Sequence, residues 1–225
     1  LGVQCSFISR EHQGNLNDHI KQRGFHVFAL SAIGLDYHSS SNNLTHASWL
    51  GCDWQTDAEQ VESILQQLKT DWLIVDHYAL DYNWEKSISF FTSKIMVIDD
   101  LANRSHFCNL LLDQNYCHDQ SRYDTLLSPD TSKLLGPKYA LLRKCFKEKR
   151  KISECKHGAI RSVFIFFGGS DPDNLTSRSL RALGLPNLKH LSVDVVIGSA
   201  NPHYDEVKQL ATVHPSAKLH IQVEN

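Results

Sequence analysis

The sequence predicts an α/β protein in which parallel sheets are flanked by helices. Short apolar runs of strand length alternate with longer segments whose apolar residues recur at helical spacing. Several of the short runs, such as Leu73 to Val75, are continuously apolar, which is typical of strands covered on both faces. A basic segment with few apolar residues separates two such series. We therefore expect two successive α/β units.

The first series of elements occupies residues 1–145. We predict strands at 3–8, 25–30, 73–75, 94–98 and 110–112, and helices at 14–23, 57–69 and 83–91. Asp57 is a plausible N-cap for the second of these helices, because its carboxylate can accept the free N–H groups of a first turn. The Ser- and Asn-rich stretch 39–48 is too hydrophilic for a core and is predicted to be a surface loop.

The second series follows a basic linker at 146–160. Its positive charge is compatible with a nucleic-acid-binding patch, but no aromatic residues are interleaved for base stacking. We therefore favour a solvent-exposed helix followed by a linker. In residues 161–225 we predict strands at 162–167, 191–197 and 218–221, and helices at 175–183 and 203–212. Three strands are few for an independent domain, so we expect this unit to be incomplete.

Composition narrows the function classes. The chain has 225 residues, 41% of them hydrophobic, and a formal net charge of −2, which gives it no overall attraction for nucleic acid or an anionic membrane. No apolar run approaches the roughly 20 residues that span a bilayer. The six cysteines form no C-x-x-C pair, so neither a zinc ribbon nor a thioredoxin-type site is supported. We expect a soluble cytoplasmic protein.

Polar clusters stand at the ends of several predicted strands. They are Asp76-His77-Tyr78, Asp99-Asp100, Asp113-Gln114-Asn115 and Gly168-Gly169-Ser170-Asp171. Ligands bind at the carboxyl ends of the strands in open parallel sheets, so the first three clusters are expected at one edge. The fourth lies in the second unit and is expected to face the others across a cleft.

The stretch GGSDPDN, 168–174, has two interpretations. Two glycines after a strand allow a ligand close to the backbone and free N–H groups for an anion. Asp173 or Asn174 can cap the next helix, whose N-terminus favours a phosphate. The alternative is a tight strand-to-helix turn with no ligand, because the Walker lysine and the G-x-G-x-x-G spacing are absent. Gly198 and Asn201 follow another strand and are candidates for the same edge.

A metal site is a weaker hypothesis. Asp76, His77, Asp99 and Asp100 are residue types that bind metals in metallophosphatases. However, no H-x-H or H-E-x-x-H pair occurs, and adjacent Asp residues on a strand tend to point to opposite faces. We predict neither a metal nor another cofactor.

Five motifs, in this order, carry a resemblance to a known family: LIVDHYALD, VIDDLANRSH, CNLLLDQN, LLGPKYALLRKCF and FFGGSDPDNLT. The chain resembles the UDP-2,4-diacetamido-2,4,6-trideoxy-β-L-altropyranose hydrolases of pseudaminic acid biosynthesis, often described as spore coat polysaccharide biosynthesis proteins. The resemblance implies two Rossmann-like domains of GT-B type. It also implies that water attacks the anomeric carbon of a UDP-sugar with inversion and release of UDP.

The resemblance also implies roles for residues. Tyr78 falls on the tyrosine of the family's D-H-Y motif and would touch the sugar or polarise the reacting centre. The family's G-x-x-Y-A-L-x-R block falls on Gly136, Tyr139 and Arg143, which are substrate-binding candidates. Asp76 and Asp100 join them from their positions at strand ends. The family's G-G-S/T-D turn falls on Gly168, Gly169, Ser170 and Asp171, which are candidates for binding UDP through its diphosphate. Asn174, as a helix cap, and Gly198, at the end of another strand, join them from their positions alone.

Two departures from the family pattern affect the expected activity. The N-terminal G-x-G-H-x-x-R loop, which carries the family's proposed general-base histidine, has no match, and the uracil-binding region would follow residue 225. We therefore expect a chain that lacks both ends of the enzyme. His77 is the nearest candidate for a catalytic base, but a structural histidine bonded to backbone is the favoured interpretation. A GT-B glycosyltransferase and a non-catalytic nucleotide-sugar-binding fragment remain alternatives.

Overall fold

A computed structural model describes residues 2–12, 14–32, 46–152, 158–199 and 201–221 of the chain. The chain divides into two compact units, one up to Glu148 and the other from Lys149 onward. All paired strands in these ranges are parallel. The prediction of an α/β fold with parallel sheets and flanking helices is therefore confirmed. No helix in the described ranges is long and apolar enough to cross a membrane.

Unit 1 contains two hydrogen-bonded sheets, with strand orders β1-β2 and β3-β4-β5-β6. The elements are β1 (Ser6–Arg10), α1 (Asn17–Gln22), β2 (His26–Leu30), α2 (Trp54–Leu65), β3 (Trp72–Val75), α3 (Tyr82–Ile88), β4 (Lys94–Ile98), β5 (Leu110–Asp113) and β6 (Ser132–Leu135), followed by α4 (Lys144–Ile152), which spans the division between the units. Short 3-10 helices lie at Ala47–Leu50, Ser89–Phe91 and Pro137–Tyr139.

One hydrophobic core joins the helices of unit 1 to both sheets. Val61 and Leu65 on α2 and Ile88 on α3 pack with Val75 on β3 and Val97 on β4. The prediction that the apolar run of β3 is covered on both faces is wrong for the described structure. Val75 is 5% exposed, whereas its neighbour Ile74 is 58% exposed. Successive side chains point to opposite faces of a sheet, and only one face of β3 is packed.

Asp57 does not cap α2, contrary to expectation, because the helix begins three residues earlier, at Trp54. Its carboxylate is buried and lies 2.5 Å from Nη2 of Arg10, which ends β1. The Trp84 indole N–H donates to the same carboxylate at 3.0 Å. Asp57 therefore ties β1, α2 and α3 together, and its charge is balanced by Arg10.

Two other segments differ from the predictions. β6 was not predicted, since its four residues include only two apolar ones and all are partly or fully exposed, which leaves no pattern to detect. Of the predicted surface loop at 39–48, residues 39–45 lie outside the described ranges. Ala47 in the same stretch is buried, so the end of the loop joins the core. Within the predicted linker 146–160, α4 has no buried residue, as expected of a solvated helix, and residues 153–157 lie outside the described ranges.

Unit 2 contains a three-stranded parallel sheet of order β7-β8-β9. Its elements are β7 (Ser162–Ile165), α5 (Leu175–Leu183), β8 (Ser192–Ile197), α6 (Tyr204–Val213) and β9 (Ala217–Ile221). The helix at 175–183 has the predicted bounds, and the three predicted strands are present. Ile165, Val193 and Val195 pack against Leu180 of α5 and Val207 of α6. The two helices thus cover one face of the sheet.

Candidate functional site

The carboxyl edge of β3, β4 and β5 brings three predicted polar clusters together. Tyr78 follows β3, Asp100 follows β4 and Asn115 follows β5. The Tyr78 hydroxyl donates to Oδ1 of Asp100 at 2.8 Å, and Nδ2 of Asn115 donates to Oδ2 of Asp100 at 2.7 Å. Side chains from the ends of three parallel strands therefore meet at one carboxylate, as the parallel arrangement predicts.

Tyr78 is held as a hydrogen-bond donor. The hydrogen bond to Asp100 is the main cause that raises the pKa of Tyr78 to about 12, and burial and nearby carboxylates add to it. The phenol therefore keeps its proton at neutral pH. Asp76 is exposed directly after β3, yet loss of water around its carboxyl raises its pKa, with Asp100 adding to the shift and His77 opposing it. The edge thus offers a protonated phenol beside two carboxyl groups.

Asp99 has a different role from its neighbour Asp100. It is 1% exposed and accepts hydrogen bonds from Arg104 at 2.7 Å and from the Tyr123 hydroxyl at 3.0 Å. The two adjacent side chains point to different surroundings, one structural and one at the site. Among the described residues, no group of three or more His, Cys, Asp or Glu side chains is placed to hold a metal ion.

The backbone of Asp100 is fixed by the segment that follows β5. The Arg122 guanidinium donates to the carbonyl oxygen of Asp100, and its Nη2 lies 3.0 Å from Oδ2 of the buried Asp113. No sequence signal linked Arg122 to Asp100. The carbonyl of Asp113 in turn accepts the N–H of Gly136 at 2.7 Å. The segment from the end of β5 to the residues after β6 therefore holds the backbone of Asp100 in position.

The predicted substrate-binding block 136–143 begins at this same edge. Gly136 has a φ of 99°, a conformation that favours glycine, and its carbonyl accepts the N–H of Tyr139 at 3.1 Å. The N–H of Leu141 donates to the side chain of Gln114 at 2.9 Å. Arg143 lies exposed just before α4. The structure thus places the start of the block beside the end of β5, while contact of Tyr139 and Arg143 with substrate stays a prediction.

His77 makes the backbone contact expected of a structural histidine. Its Nδ1 accepts the N–H of Ala79 at 3.1 Å. Burial lowers the pKa of the imidazole below its ordinary 6.5, so the ring is neutral at neutral pH. A neutral imidazole has one acceptor nitrogen, and the Ala79 amide occupies it, which makes Nε2 a donor. This geometry does not suit a general base.

An aromatic wall, formed by His46, Trp49 and Tyr78, borders the cluster. The Trp49 ring centroid lies 5.9 Å from that of Tyr78, and the His46 centroid lies 4.5 Å from Trp49 and 5.4 Å from Tyr78. Sequence reasoning missed His46 and Trp49. They precede Tyr78 by about 30 residues, and no periodic pattern connects them. The isolated tryptophan after a polar stretch was the one available signal.

In unit 2, the glycine-rich turn and the end of β8 lie together. The N–H of Gly198 donates to the carbonyl of Gly169 at 3.1 Å, and a Cβ on Gly198 would come within 2.5 Å of that oxygen. Gly198 is therefore required by close backbone packing. Gly168, Gly169 and Ser170 are exposed, so their backbone remains accessible to a ligand.

Asp171 and Asn174 occupy the N-terminus of α5. The Asp171 carboxylate is 2% exposed and accepts the N–H groups of Leu175 and Thr176 at 2.9 and 2.8 Å. Burial raises the pKa of this carboxyl, but the backbone hydrogen bonds outweigh it and the net pKa is lowered. Asn174 accepts the N–H of Ser177 at 3.4 Å. The side chains of Asp171 and Asn174 therefore already accept the helix N–H groups that we expected to bind a phosphate.

Comparison with curated proteins gives the following similarities. The chain is 31% identical over 164 residues to the UDP-2,4-diacetamido-2,4,6-trideoxy-β-L-altropyranose hydrolase of Campylobacter jejuni, a match covering 72% of the chain and 57% of that enzyme. It is 27% identical over 176 residues to the spore coat polysaccharide biosynthesis protein SpsG of Bacillus subtilis, covering 74% of the chain and 51% of that protein. An uncharacterised protein of Methanocaldococcus jannaschii is 25% identical over 167 residues, covering 69% of the chain and 33% of that protein.

The chain thus spans about half, or less, of the length of these relatives. No protein-family model matches the chain. The relatives support the resemblance stated from the five motifs at the level of a hydrolase and polysaccharide-biosynthesis group. They do not single out one member.

Proposed function

We propose that the chain belongs to a cytoplasmic enzyme that hydrolyses a UDP-linked 2,4-diacetamido-2,4,6-trideoxy sugar in pseudaminic acid biosynthesis. Water attacks the anomeric carbon with inversion, the bond to the diphosphate breaks, and UDP leaves. The similarity to a hydrolase of this name supports the reaction class. The GT-B arrangement of two Rossmann-like domains, with a boundary at 146–160, is part of the same proposal.

The observation that carries the proposal is the Tyr78–Asp100–Asn115 cluster. It lies where open parallel sheets bind ligands, and its phenol is protonated and already oriented by a carboxylate. Breaking a glycosyl–diphosphate bond moves negative charge onto the departing oxygen. A hydrogen-bond donor that is already in position, and whose hydrogen bond to that oxygen is stronger in the transition state than in the bound substrate, speeds such a step. Tyr78 takes this role when the departing oxygen replaces Oδ1 of Asp100 as the acceptor of its single hydroxyl proton. Asp76 and Asp100 are then polar contacts for the sugar.

Taken by itself, unit 2 has a glycine-rich turn for which we propose the role of binding a diphosphate. The exposed backbone of Gly168, Gly169 and Ser170 offers N–H groups, and Gly198 keeps the end of β8 against them. The capping hydrogen bonds of Asp171 and Asn174 fix the turn in place. In this proposal these two residues position the anion-binding backbone, and their side chains do not bind phosphate directly.

UDP release from the UDP-diacetamido sugar tests the proposal. We expect Tyr78→Phe to lower kcat by about 10²–10³-fold, the cost of losing one donor to developing charge, with UDP affinity nearly unchanged. Tyr82→Phe is the matched control, because this residue lies on α3 and its ring pairs with Phe107 instead. UDP release by the chain and by each of the two variants is the measurement.

Three outcomes change the assignment. Equal losses in kcat and UDP affinity for Tyr78→Phe would place the hydroxyl in ground-state binding. Sugar transfer to an added acceptor in preference to water would make the protein a glycosyltransferase. Absence of UDP release would reject hydrolysis and favour a nucleotide-sugar-binding role.

A further inference from the structure

Arg104, in the motif VIDDLANRSH, is a buried arginine that links the two segments carrying Tyr78 and Asp100. It is 6% exposed. Its Nε–H donates to the carbonyl of Leu80 at 2.7 Å, and its Nη2 donates to the carbonyl of His77 at 3.4 Å. These two carbonyls lie on either side of Tyr78 along the chain, in the turn that follows β3. The guanidinium therefore holds the turn that presents the phenol.

The same guanidinium is bound to the end of β4. Its Nη1 donates to Oδ1 of Asp99 at 2.7 Å, and both side chains are almost fully buried. Asp99 directly precedes Asp100, so a fixed Asp99 restricts where the backbone of Asp100 can lie. A guanidinium has five N–H donors in a rigid planar fork, so one arginine can bind a carboxylate and two carbonyls at fixed angles. A lysine amine offers no such fork.

The turn that brings Arg104 to this position is strained. Ala102 has a φ of 48°, in the left-handed region that residues with a side chain rarely adopt. Its N–H donates to Oδ2 of Asp99 at 2.9 Å, so the carboxylate that binds Arg104 also holds the turn. Strained conformations of this kind persist where the surrounding contacts determine them. Asp99 therefore fixes both the turn and the guanidinium that it presents.

We propose that Arg104 is a positioning residue that holds the Tyr78 hydroxyl against Asp100 for the reaction. It acts through the backbone on both sides of that hydrogen bond, because its burial keeps it from contact with the substrate. The strength of the 2.8 Å hydrogen bond depends on its angle as well as on its length. The effect of Arg104 on turnover rests on the proposed function, whereas its effect on the hydrogen bond does not.

The ionisation of Tyr78 tests the inference without any substrate. NMR of tyrosine isotope-labelled at Cζ follows each phenol as the pH rises, and Tyr78→Phe assigns the signal. The hydrogen bond to Asp100 is the main cause that raises the pKa of Tyr78 to about 12. Arg104→Lys keeps the positive charge and loses the fork, so we expect this pKa to fall toward the ordinary value of about 10. Arg104→Gln also removes the charge, which alone would raise the pKa, so a fall in both variants has a geometric cause.

Arg10→Lys is the matched control. Arg10 is 7% exposed, pairs with the buried carboxylate of Asp57 and donates to the carbonyl of Ser31 at 2.8 Å. We expect its loss of stability to be similar to that of Arg104→Lys, with the pKa of Tyr78 unchanged. An unchanged pKa of Tyr78 in either Arg104 variant, or an equal fall in Arg10→Lys, would overturn the inference.

Turnover adds a second test, which a general loss of stability does not reproduce. Since a displacement of about 1 Å can cost about 100-fold in rate, we expect Arg104→Lys to lower kcat by about 10- to 100-fold, with KM within about twofold. In the Tyr78→Phe background the same change should lower kcat by less than about twofold. Equal losses in both backgrounds would overturn the inference. A fall in the pKa of Tyr78 without UDP release by wild type would reject the proposed function alone.

Discussion

Replacing His77 separates a structural histidine from a catalytic base. The pair of variants is His77→Asn and His77→Ala. In the structure, Nδ1 of His77 accepts the N–H of Ala79, two residues further along the chain, at 3.1 Å. An asparagine oxygen makes the same contact in an Asx turn, whereas alanine leaves the N–H without this partner.

The expected loss in the free energy of unfolding follows from the burial of Ala79, which is 1% exposed. A buried N–H left without its partner costs about 1–3 kcal/mol, so we expect His77→Ala to lower the free energy of unfolding by about 2 kcal/mol. His77→Asn keeps the hydrogen bond and loses only ring packing, so we expect a loss below about 1 kcal/mol. Turnover should remain within about threefold of wild type in His77→Asn.

The pKa of His77 adds a second measurable difference. Because burial lowers it below the ordinary 6.5, the stabilisation is fully present above pH 6.5 and is lost as the pH falls toward the folded-state pKa. Wild type should therefore lose more stability than His77→Asn between about pH 7.5 and about pH 5.5. Urea unfolding at both pH values and UDP release at the higher one are the assays. If both variants stay stable and lose turnover equally, His77 is the base and the reasoning is wrong.

The remaining predictions concern three carboxylates and the residues that contact them. Asn115→Ala should lower kcat/KM about tenfold by removing one donor from Asp100, with unfolding free energy changed by less than about 0.5 kcal/mol; an unchanged rate would exclude a positioning role. Asp171→Asn should cost about 1–2 kcal/mol at neutral pH. The lowered pKa of Asp171 means that wild type loses this stabilisation as the pH falls below 3.8, and the variant should not. Asp57→Asn should cost about 3–5 kcal/mol in urea unfolding by leaving Arg10 buried without its counter-charge; a loss under about 1 kcal/mol would contradict this.

Much of the sheet and part of the site follow from local sequence. The apolar run Lys94–Ile98 and the helix Leu175–Leu183 have their predicted bounds, because period and flanking residues mark both. The convergence of Tyr78 and Asp100 was also predictable. Once strands are known to be parallel, the residues that follow them lie at one edge, whatever the order of the strands.

The remainder depends on contacts between distant residues. The pairing of Asp57 with Arg10 spans 47 positions, and a capping rule that uses neighbours alone cannot detect it. The position of Trp49 against Tyr78 is equally non-local. At Asp171 the residue type suited both a ligand contact and a helix N-terminus, and only the N–H groups within 3 Å of its oxygens show that the helix uses it.

Asp99 and Asp100 have different roles because successive side chains at the end of β4 point in opposite directions. Asp99 is turned inward to Arg104, and the next residue, Asp100, is turned toward Tyr78 and Asn115. Asp99 is thus a buried carboxylate that stabilises the fold, whereas the next residue, Asp100, orients the Tyr78 phenol. If β4 shifted by one residue, the two side chains would exchange surroundings. Asp100 would be buried without its partners and Asp99 would be exposed. The register of β4 against β5 is therefore the feature on which both stability and the proposed chemistry depend.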